Sequence, residues 1–125
     1  MPIQESLEIR DGICTSRPQG EASLVETVEV VRRSIEYCRR HSTVKCLVDA
    51  SGLTGVPIPS LVDRFLAVEE WAHEAQGMIL VVLVIHARYI HPEKFGVKVA
   101  AHLGLTANVF PSEEEALAWL AGFEA

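Results

Sequence analysis

The sequence has little of what directs a protein to nucleic acid or into a membrane. Its 125 residues include 11 basic and 17 acidic side chains, a formal net charge of −6, whereas nucleic-acid-binding domains normally present a basic face. The longest apolar run, residues 78–85, has the length of a strand and falls short of the roughly 18 apolar residues that cross a bilayer. The first residues, MPIQESLEIRDG, are acidic where a signal peptide is basic and then apolar. We therefore expect a soluble, cytoplasmic protein that binds no nucleic acid.

Cysteine is scarce as well, and the motifs of several site types are missing. Cys14, Cys38 and Cys46 are odd in number and widely spaced, and no Cys-x-x-Cys occurs. This pattern favours neither a zinc site nor a redox pair, so we predict reduced, buried cysteines. The sequence also lacks the Gly-x-Ser-x-Gly of a nucleophile elbow, the lysine of a phosphate-binding loop and Gly-x-Gly-x-x-Gly. These absences predict no metal and no cofactor.

What is present is the composition of a globular domain. Hydrophobic residues make up 49% of the chain and charged residues 22%, and a chain of this length can bury one proper core. No linker, repeat or low-complexity stretch interrupts it. We expect residues 1–125 to form a single domain.

The first structural signal is a hairpin. Two short alternating runs flank Asp11-Gly12, and Asp-Gly between such runs is among the strongest short-range hairpin signals. We predict antiparallel strands at Ser6–Arg10 and Ile13–Arg17.

The stretch EASLVETVEVVRRSIEYCRRHS predicts the first helix. Apolar residues recur at spacings of three and four, as one face of a helix requires; they are Leu24, Val28, Val31, Ile35 and Cys38. Ser23 followed by Glu26 has the pattern of a capping box. The basic residues of this helix form either its solvated side or a contact patch for an acidic partner; they are Arg32, Arg33, Arg39 and Arg40.

Strands and helices alternate along the rest of the chain. The predicted elements are a strand at 43–50, a helix at 59–77, a strand at 78–86, a helix at 92–104, a strand at 105–110 and a helix at 111–123. The inner face of the second helix is assigned to Leu61, Phe65, Val68 and Ala72. The order β-β-α-β-α-β-α-β-α predicts an α/β fold whose mostly parallel sheet has an antiparallel edge hairpin and helices on both faces.

Two stretches in this order carry a resemblance to a known family. They are CLVDASGLTG at 46–55 and FGVKVAAHLGLTANVFPSEEEALAWL at 95–120. Together with the element order, they resemble the STAS domain, or SpoIIAA-like fold, and in particular a subgroup of small, mostly uncharacterised bacterial "STAS/SEC14" proteins. The resemblance implies a non-catalytic module, and the "SEC14" part of the name implies lipophilic ligands.

The resemblance also raises the question of a phosphorylation switch. In the anti-sigma antagonists of the family, an Asp-Ser-Ser-Gly-Leu switch lies at a helix N-terminus, a few residues after an Asp-rich turn. Here Asp49-Ala50-Ser51-Gly52-Leu53 continues the strand directly and so matches the earlier turn. The switch position falls on residues 56–61, which lack the signature and contain two prolines. Ser60, the nearest serine, is either a helix N-cap or a phosphosite.

Two polar clusters follow neighbouring strands of the predicted sheet. Asp49 and Ser51 follow one strand, and His86, Arg88 and His91 follow the next. Ligands of open parallel sheets bind beyond the carboxyl ends of the strands, so we expect both clusters to meet there. Because no catalytic or metal-ligand spacing connects them, we interpret Asp49, Ser51, His86 and Arg88 as binding residues and predict that the protein is not an enzyme.

The loop and helix start LTGVPIPSLVDRF are unusually apolar for a surface segment. Leu53, Val56, Ile58, Leu61 and Phe65 can cover the core, cover a ligand or contact a partner.

Two hypotheses follow from this segment. The first is a binding module that holds a small apolar molecule, or touches a membrane surface, through residues 53–66; it predicts an apolar cavity beneath the loop. The alternative is a signalling module that presents the loop and second helix to a regulatory protein; it predicts a filled core and an exposed patch. The exposed hairpin edge is also compatible with a homodimer.

Overall fold

The computed structural model describes residues 3–123 and contains a five-stranded mixed sheet. The strands are β1 (Leu7–Arg10), β2 (Ile13–Ser16), β3 (Gly20–Glu21), β4 (Lys45–Asp49), β5 (Leu53–Thr54), β6 (Leu80–Val84) and β7 (Ala107–Phe110). The main sheet has the order β1-β2-β4-β6-β7, in which only β1 and β2 pair antiparallel. The predicted sheet, with its antiparallel edge hairpin, is therefore confirmed.

The hairpin turn explains why Asp-Gly predicted it. Asp11 has φ of 54° and Gly12 has φ of 77°, and a two-residue turn with two positive φ angles matches the twist of the strands that it joins. The strands are one residue shorter than predicted, since β1 begins at Leu7 and β2 ends at Ser16.

Each of the four predicted helices forms. They are α1 (Leu24–Arg40), α2 (Leu61–Ala75), α3 (Phe95–His102) and α4 (Glu113–Ala121). Ser23 and Ser60 form capping boxes with Glu26 and Asp63, as their spacing predicted. The third helix starts later than predicted because Lys94, with φ of 50°, adopts the left-handed conformation just before Phe95.

A second, two-stranded sheet was not predicted. β3 pairs with β5 in parallel and fixes the start of the loop that leads to α2. A Cβ atom on Gly52 would lie 3.0 Å from the carbonyl oxygen of Pro18, so the close approach of these two chain segments requires glycine. Leu53 is buried as a result.

The helices cover the two faces of the sheet unequally. The core on one face is built with α1, α2 and α3 and includes Val31, Ile35, Val68, Ala100 and Leu105, whereas the core on the other face is built with α4. The three cysteines are free and buried in the first core, as predicted. No helix among residues 3–123 is long and apolar enough to cross a bilayer.

The predicted inner face of α2 is confirmed for Val68 and Ala72, which pack in the core, and is wrong for Leu61 and Phe65. Leu61 and Phe65 are 50% and 40% exposed, and the buried residues of this helix are Ala67, Val68 and Ala75. The helix packs between α1 and α3 rather than lying broadly on the strands. Small side chains therefore fill its inner face, and larger apolar side chains at its start point outward.

The basic residues of α1 pair with carboxylates of the same chain. Arg32 binds Glu29 at 2.5 Å and Glu74 of α2 at 2.9 Å, and Arg39 also pairs with Glu74. Arg33 pairs with Glu5 and Arg40 with Glu36. Part of this basic cluster therefore links α1 to α2 through salt bridges, whereas the sequence analysis had considered only a solvated helix side or a contact patch for an acidic partner.

Candidate functional site

An apolar cavity of about 170 Å³ lies between α2 and the sheet. Its floor consists of β6 and β7 side chains, among them Val81, Leu83 and Val109. Its other walls come from the start of α1, the inner face of α2, the start of α3 and the two loops at the carboxyl end of the sheet. α2 is therefore the roof of a cavity rather than a helix in continuous contact with the strands.

Hydrogen bonds from Tyr89 and Arg64 fasten the two loops at the mouth of this cavity. The Tyr89 hydroxyl donates to the carbonyl oxygen of Val56 at 2.6 Å, and Arg64 Nη1 donates to the carbonyl oxygen of Tyr89 at 2.8 Å. Further along α2, Trp71 Nε1 donates to the carbonyl oxygen of Val28 at 3.0 Å. The roof is thus joined both to the loop segment 86–91 and to α1.

The polar residues that line the cavity include Arg64, Lys94 and two histidines, together with an acidic and three neutral residues; the full set is Thr27, Asp63, Arg64, His86, Tyr89, His91, Lys94 and Asn108. Lys94 Nζ donates to Asn108 Oδ1 at 2.7 Å and lies 4.4 Å from the centre of the Phe110 ring. The lining carboxylate, Asp63, already accepts a hydrogen bond from the backbone N–H of Ser60. The cavity is thus mainly apolar, and its polar lining contains both cationic and anionic side chains.

Asp49 and Ser51 lie away from this cavity. Asp49 is two residues after Leu47 in β4, so both side chains point to the same face of the sheet, and Leu47 belongs to the core beneath α4. Asp49 Oδ1 accepts hydrogen bonds from the Ser51 backbone N–H at 3.0 Å and from the Ser51 hydroxyl at 2.5 Å. Glu113 of α4 lies beside Asp49 and accepts two hydrogen bonds from Arg17, each 2.9 Å long.

The pKa values of this carboxyl pair move apart. Burial raises the pKa of Asp49, and the hydrogen bond that it shares with Glu113 raises it further. The hydrogen bonds from Arg17, followed by that of Asp49, lower the pKa of Glu113 to about 2. Asp49 is therefore the member of the pair that holds a proton more readily.

The two polar clusters predicted to meet are separated by the sheet. Leu53, Val56 and His86 line the cavity, as does His91, whereas Asp49 and Ser51 lie with α4. Arg88 is exposed next to the Tyr89 ring and does not line the cavity. The expected single crevice is therefore wrong: Asp49 faces α4, whereas the chain leaves β6 at Val84 and the irregular segment that follows brings His86 to the cavity on the other side.

The remaining predicted residues form an outward surface at the start of α2. We call Ile58, Leu61, Val62, Phe65 and Leu66 the α2 outer surface; each is between 40% and 67% exposed. Leu61, Val62, Phe65 and Leu66 lie on one side of α2 because Phe65 and Leu66 follow Leu61 and Val62 by one helical turn, and Ile58 precedes the helix in the loop. Ser60 lies between them, and its hydroxyl accepts a hydrogen bond from the Asp63 N–H at 3.1 Å, as an N-cap does.

Two arrangements considered for Ser51, Ser60 and the histidines are not found among the described residues. Within residues 3–123, no hydrogen bond joins Ser51 or Ser60 to a histidine, and no group of three or more His, Cys, Asp or Glu side chains could hold a metal ion.

Sequence reasoning missed Arg64, Trp71, Tyr89 and Lys94. Arg64 and Trp71 share the helical spacing of the buried Ala67 and Val68, so a helical wheel centred on those small residues indicates both. The tyrosine and lysine lie in irregular segments, where no periodicity shows which way a side chain points.

No family model matches the sequence, and no curated protein is significantly similar to it. Solved structures are similar in fold. An anti-sigma factor antagonist from Mycobacterium paratuberculosis superposes with a TM-score of 0.59 at 15% identity, over 96% of this chain and 95% of that one. The anti-sigma factor antagonist SpoIIAA, in its unphosphorylated form, gives 0.52 at 15% identity, over 98% and 100%. The chain has the SpoIIAA-like fold.

A third SpoIIAA-like structure is an uncharacterised protein from Shewanella loihica. It superposes with a TM-score of 0.50 at 15% identity, over 94% of this chain and 93% of that one. The three superpositions confirm the SpoIIAA-like architecture that the sequence resemblance implied. At this identity the likeness is one of fold, so the function of the α2 outer surface and of the cavity has to be argued from their own geometry.

Proposed function

We propose that the protein is a non-catalytic interaction module that binds a regulatory protein through the α2 outer surface. The observation that carries the proposal is this surface itself. Five large apolar side chains, one in the preceding loop and four in the first two turns of α2, are exposed to water next to one another. Contiguous exposed apolar patches of this kind are typical of binding sites.

The charge around the surface favours a protein partner over a membrane. Glu69 and Glu70 are exposed on the next turn of α2. Carboxylates beside the patch would be repelled by the anionic lipids of a membrane surface. They would complement a protein whose apolar site has a basic rim. We therefore assign the surface to a protein rather than to a bilayer.

The likeness to anti-sigma factor antagonists supports one class of partner. Two of the similar structures are antagonists of anti-sigma factors by name. On that basis, we take an anti-sigma factor of the same organism as the partner to test first.

The interaction we propose does not depend on phosphorylation of Ser51. A phosphate on its hydroxyl would lie against the Asp49 carboxyl and close to Glu113, where like charges repel. Ser60 is exposed at the N-terminus of α2, where a phosphate is electrostatically favoured. Ser60 thus stays the candidate phosphosite, beside the proposed interface.

The test uses two matched substitutions. Val62 and Val25 are both exposed valines at the second position of a helix that starts with a serine capping box. An aspartate there meets the same helix dipole in both helices, so Val62→Asp and Val25→Asp differ in which surface receives the charge. We expect Val62→Asp to weaken binding to the anti-sigma factor at least tenfold, and Val25→Asp to leave it unchanged. Calorimetry of purified proteins measures both.

Equal binding by the two variants would place the interface elsewhere. If no anti-sigma factor of the organism binds, sedimentation of the protein alone and flotation with anionic vesicles test the other occupants. A dimer or a vesicle complex that Val62→Asp disrupts would replace the proposed partner with a second copy or a membrane.

The cavity favours a second function, the binding of a small apolar molecule. It is an apolar space beneath the loop 53–59, and Leu53 and Val56 line it. A molecule held there would contact the inner face of α2, opposite the outer surface.

A further inference from the structure

The polar side chains around the cavity beneath α2 already have partners. Tyr89 and Arg64 each donate a hydrogen bond to a backbone carbonyl oxygen, and Lys94 donates to Asn108 Oδ1. Four further lining residues form hydrogen bonds within the chain; they are Thr27, Asp63, Trp71 and His91. His86 is exposed, so water can bind to it. An occupant of the cavity therefore meets few polar groups that need a partner.

Among the described residues, the cavity wall has no buried polar side-chain atom that lacks a partner. The one such atom in residues 3–123 is Ser16 Oγ, and Ser16 does not line the cavity. The charged lining residues Asp63, Arg64 and Lys94 bind three different groups rather than converging on one point. A charged occupant would lose its hydration without gaining a matched partner. The wall thus favours an uncharged occupant.

Small residues line the cavity from the two helices that border it. Ala67 of α2 and Gly96 of α3 both contribute to the wall, whereas the larger Leu61 and Phe65 of α2 are exposed on the outer surface. A longer side chain at position 67 or 96 would enter the space that an occupant needs.

Gly96 is required neither by the backbone nor by close packing. It lies in the first turn of α3 and is not among the glycines with positive φ. A Cβ atom built on it would have its nearest neighbour, Val68 Cγ2, at 3.7 Å, an ordinary van der Waals distance. Alanine is more favourable than glycine within a helix. The missing side chain therefore weakens α3 without relieving a contact, and what it provides is space in the cavity.

The volume limits the size of the occupant. At about 170 Å³, the cavity is slightly larger than the roughly 150 Å³ apolar cavity that is known to bind benzene. A single ring or a short chain fits, whereas a long acyl chain would extend out of it into water.

We propose that this cavity binds a small uncharged apolar molecule of about one ring, and that Gly96 and Ala67 determine the size that it accepts. The proposal rests on the second function given above, apolar binding in the cavity, and names its ligand class and its specificity residues. It is independent of the protein partner, which uses the α2 outer surface.

The first experiment compares probes that differ in charge or in length. Ethylbenzene and benzylamine have the same shape, with a methyl group in one replaced by an ammonium in the other; benzoate has the opposite charge, and 1-decanol has a long chain. Each is titrated into ¹⁵N-labelled protein at pH 7 and followed by amide chemical shifts. We expect ethylbenzene to give saturable shifts at cavity-lining residues, among them Ala67, Gly96 and Val97. It should bind at least tenfold more tightly than either charged probe, and more tightly than 1-decanol.

The second experiment tests Gly96 through two quantities that should change in opposite directions. Gly96→Ala places a methyl group in the cavity and favours the helix, so we expect a higher urea midpoint together with at least threefold weaker ethylbenzene binding. Benzene, which is smaller, should lose less affinity than ethylbenzene. A glycine that served only the packing of α3 would instead lower the urea midpoint when replaced.

The third experiment fills the cavity from α2. Ala67→Leu and Ala101→Leu make the same change in a helix, but Ala101 is exposed and does not line the cavity. We expect ethylbenzene affinity to fall at least tenfold in Ala67→Leu and to stay unchanged in Ala101→Leu. Circular dichroism checks that both variants fold, and Gly96→Ala tests the site if Ala67→Leu does not.

The outcomes separate this proposal from the function on which it rests. Equal affinities for ethylbenzene and a charged probe would contradict the uncharged class, and tighter binding of 1-decanol would contradict the size; apolar binding in the cavity would stand in both cases. Ethylbenzene binding that survives both Gly96→Ala and Ala67→Leu unchanged would remove these residues from the proposal. If no probe shifts the cavity amides, both the ligand class and the second function are wrong, with the response of Val62→Asp to its protein partner unaffected.

Discussion

The two halves of α2 are held in different ways. Its C-terminal half is fastened to α1 by the salt bridges of Glu74 with Arg32 and Arg39, and by the hydrogen bond from Trp71 to the carbonyl oxygen of Val28. Its N-terminal half carries the exposed apolar side chains, covers the cavity, and is tied to the rest of the molecule through Tyr89. One helix thus has an anchored end and a recognition end.

This division has a physical consequence for binding. Exposed apolar side chains favour binding of a partner, and a cavity needs a covering segment that can open to admit a ligand. Both features reduce the packing of the N-terminal half of α2. The ion pairs at the other end of the helix keep α2 in place while its start remains free for contacts. We expect local opening of the protein to begin in the loop 53–59 and the first turns of α2.

The largest expected effect is that of removing Glu74. Its side chain is 13% exposed, and Glu74→Ala leaves Arg39 without its carboxylate partner and Arg32 with Glu29 and a distant Glu70. Burial by itself raises the pKa of Glu74, but the hydrogen bonds from Arg39 and Arg32 outweigh it and lower the pKa. We expect a loss of roughly 2 kcal/mol in the free energy of unfolding, less than for a fully buried pair, measured by urea denaturation.

A matched control for this variant lies on α1. Glu36→Ala breaks the pair with Arg40, whose side chain is 70% exposed, and such a pair contributes less than about 1 kcal/mol. If the two substitutions cost the same, the Glu74 network does not anchor α2, and the contrast between its two halves disappears.

A smaller effect is expected from Tyr89→Phe at the recognition end. The substitution removes the hydroxyl that donates to the carbonyl oxygen of Val56 and keeps the ring. The expected cost is about 1 kcal/mol, as for one hydrogen bond. Hydrogen exchange should show faster opening of residues 53–66 and unchanged protection of residues 70–75. Uniform loss of protection along α2 would mean that the helix opens as a unit.

The fold could be predicted because its signals are local. Asp11-Gly12 dictates a turn by its φ angles, and Ser23 and Ser60 cap helices through side chains three residues away. Alternation of strands and helices then leaves few ways to order a parallel sheet. These features depend on neighbouring residues, which a single sequence displays.

The site could be predicted only in part because it depends on how distant elements meet. The loop composition indicated a cavity and an exposed patch as alternatives, whereas the structure has both, and the composition could not say which apolar residues face inward. The rotation of α2 that turns Leu61 and Phe65 outward follows from the packing of Ala67 and Val68 between neighbouring helices. The separation of Asp49 from His86 could not be predicted from strand alternation, which would place both on the face of Val84; it arises because β6 ends at Val84 and the irregular segment after it takes His86 to the cavity.

The smallest effect is expected from Asp49→Asn on the opposite face of the sheet. This variant is a reference for the substitutions in and around α2. Asp49→Asn keeps an oxygen for the hydrogen bonds from Ser51 and adds N–H groups that can donate to Glu113. The pKa of Asp49 is raised in the folded protein, so the wild type loses stability as the pH rises above the ordinary value of 3.8. The asparagine, which cannot ionise, avoids that loss.

The variant should therefore be more stable than the wild type at pH 7 and equal to it at pH 3, where Asp49 is protonated in both states. Glu113, with its pKa of about 2, acts in the opposite direction: its contribution is present above about pH 4.5 and is lost as the pH falls towards 2. Because both proteins contain Glu113, its contribution largely cancels in the difference between their urea midpoints at pH 3, 5 and 7. A difference that stays constant over this range would show that ionisation of Asp49 is not its cause. Amide protection at pH 7 should rise in residues that exchange only through global unfolding and stay unchanged in the first turns of α2, which open locally, because the substitution acts on global stability alone.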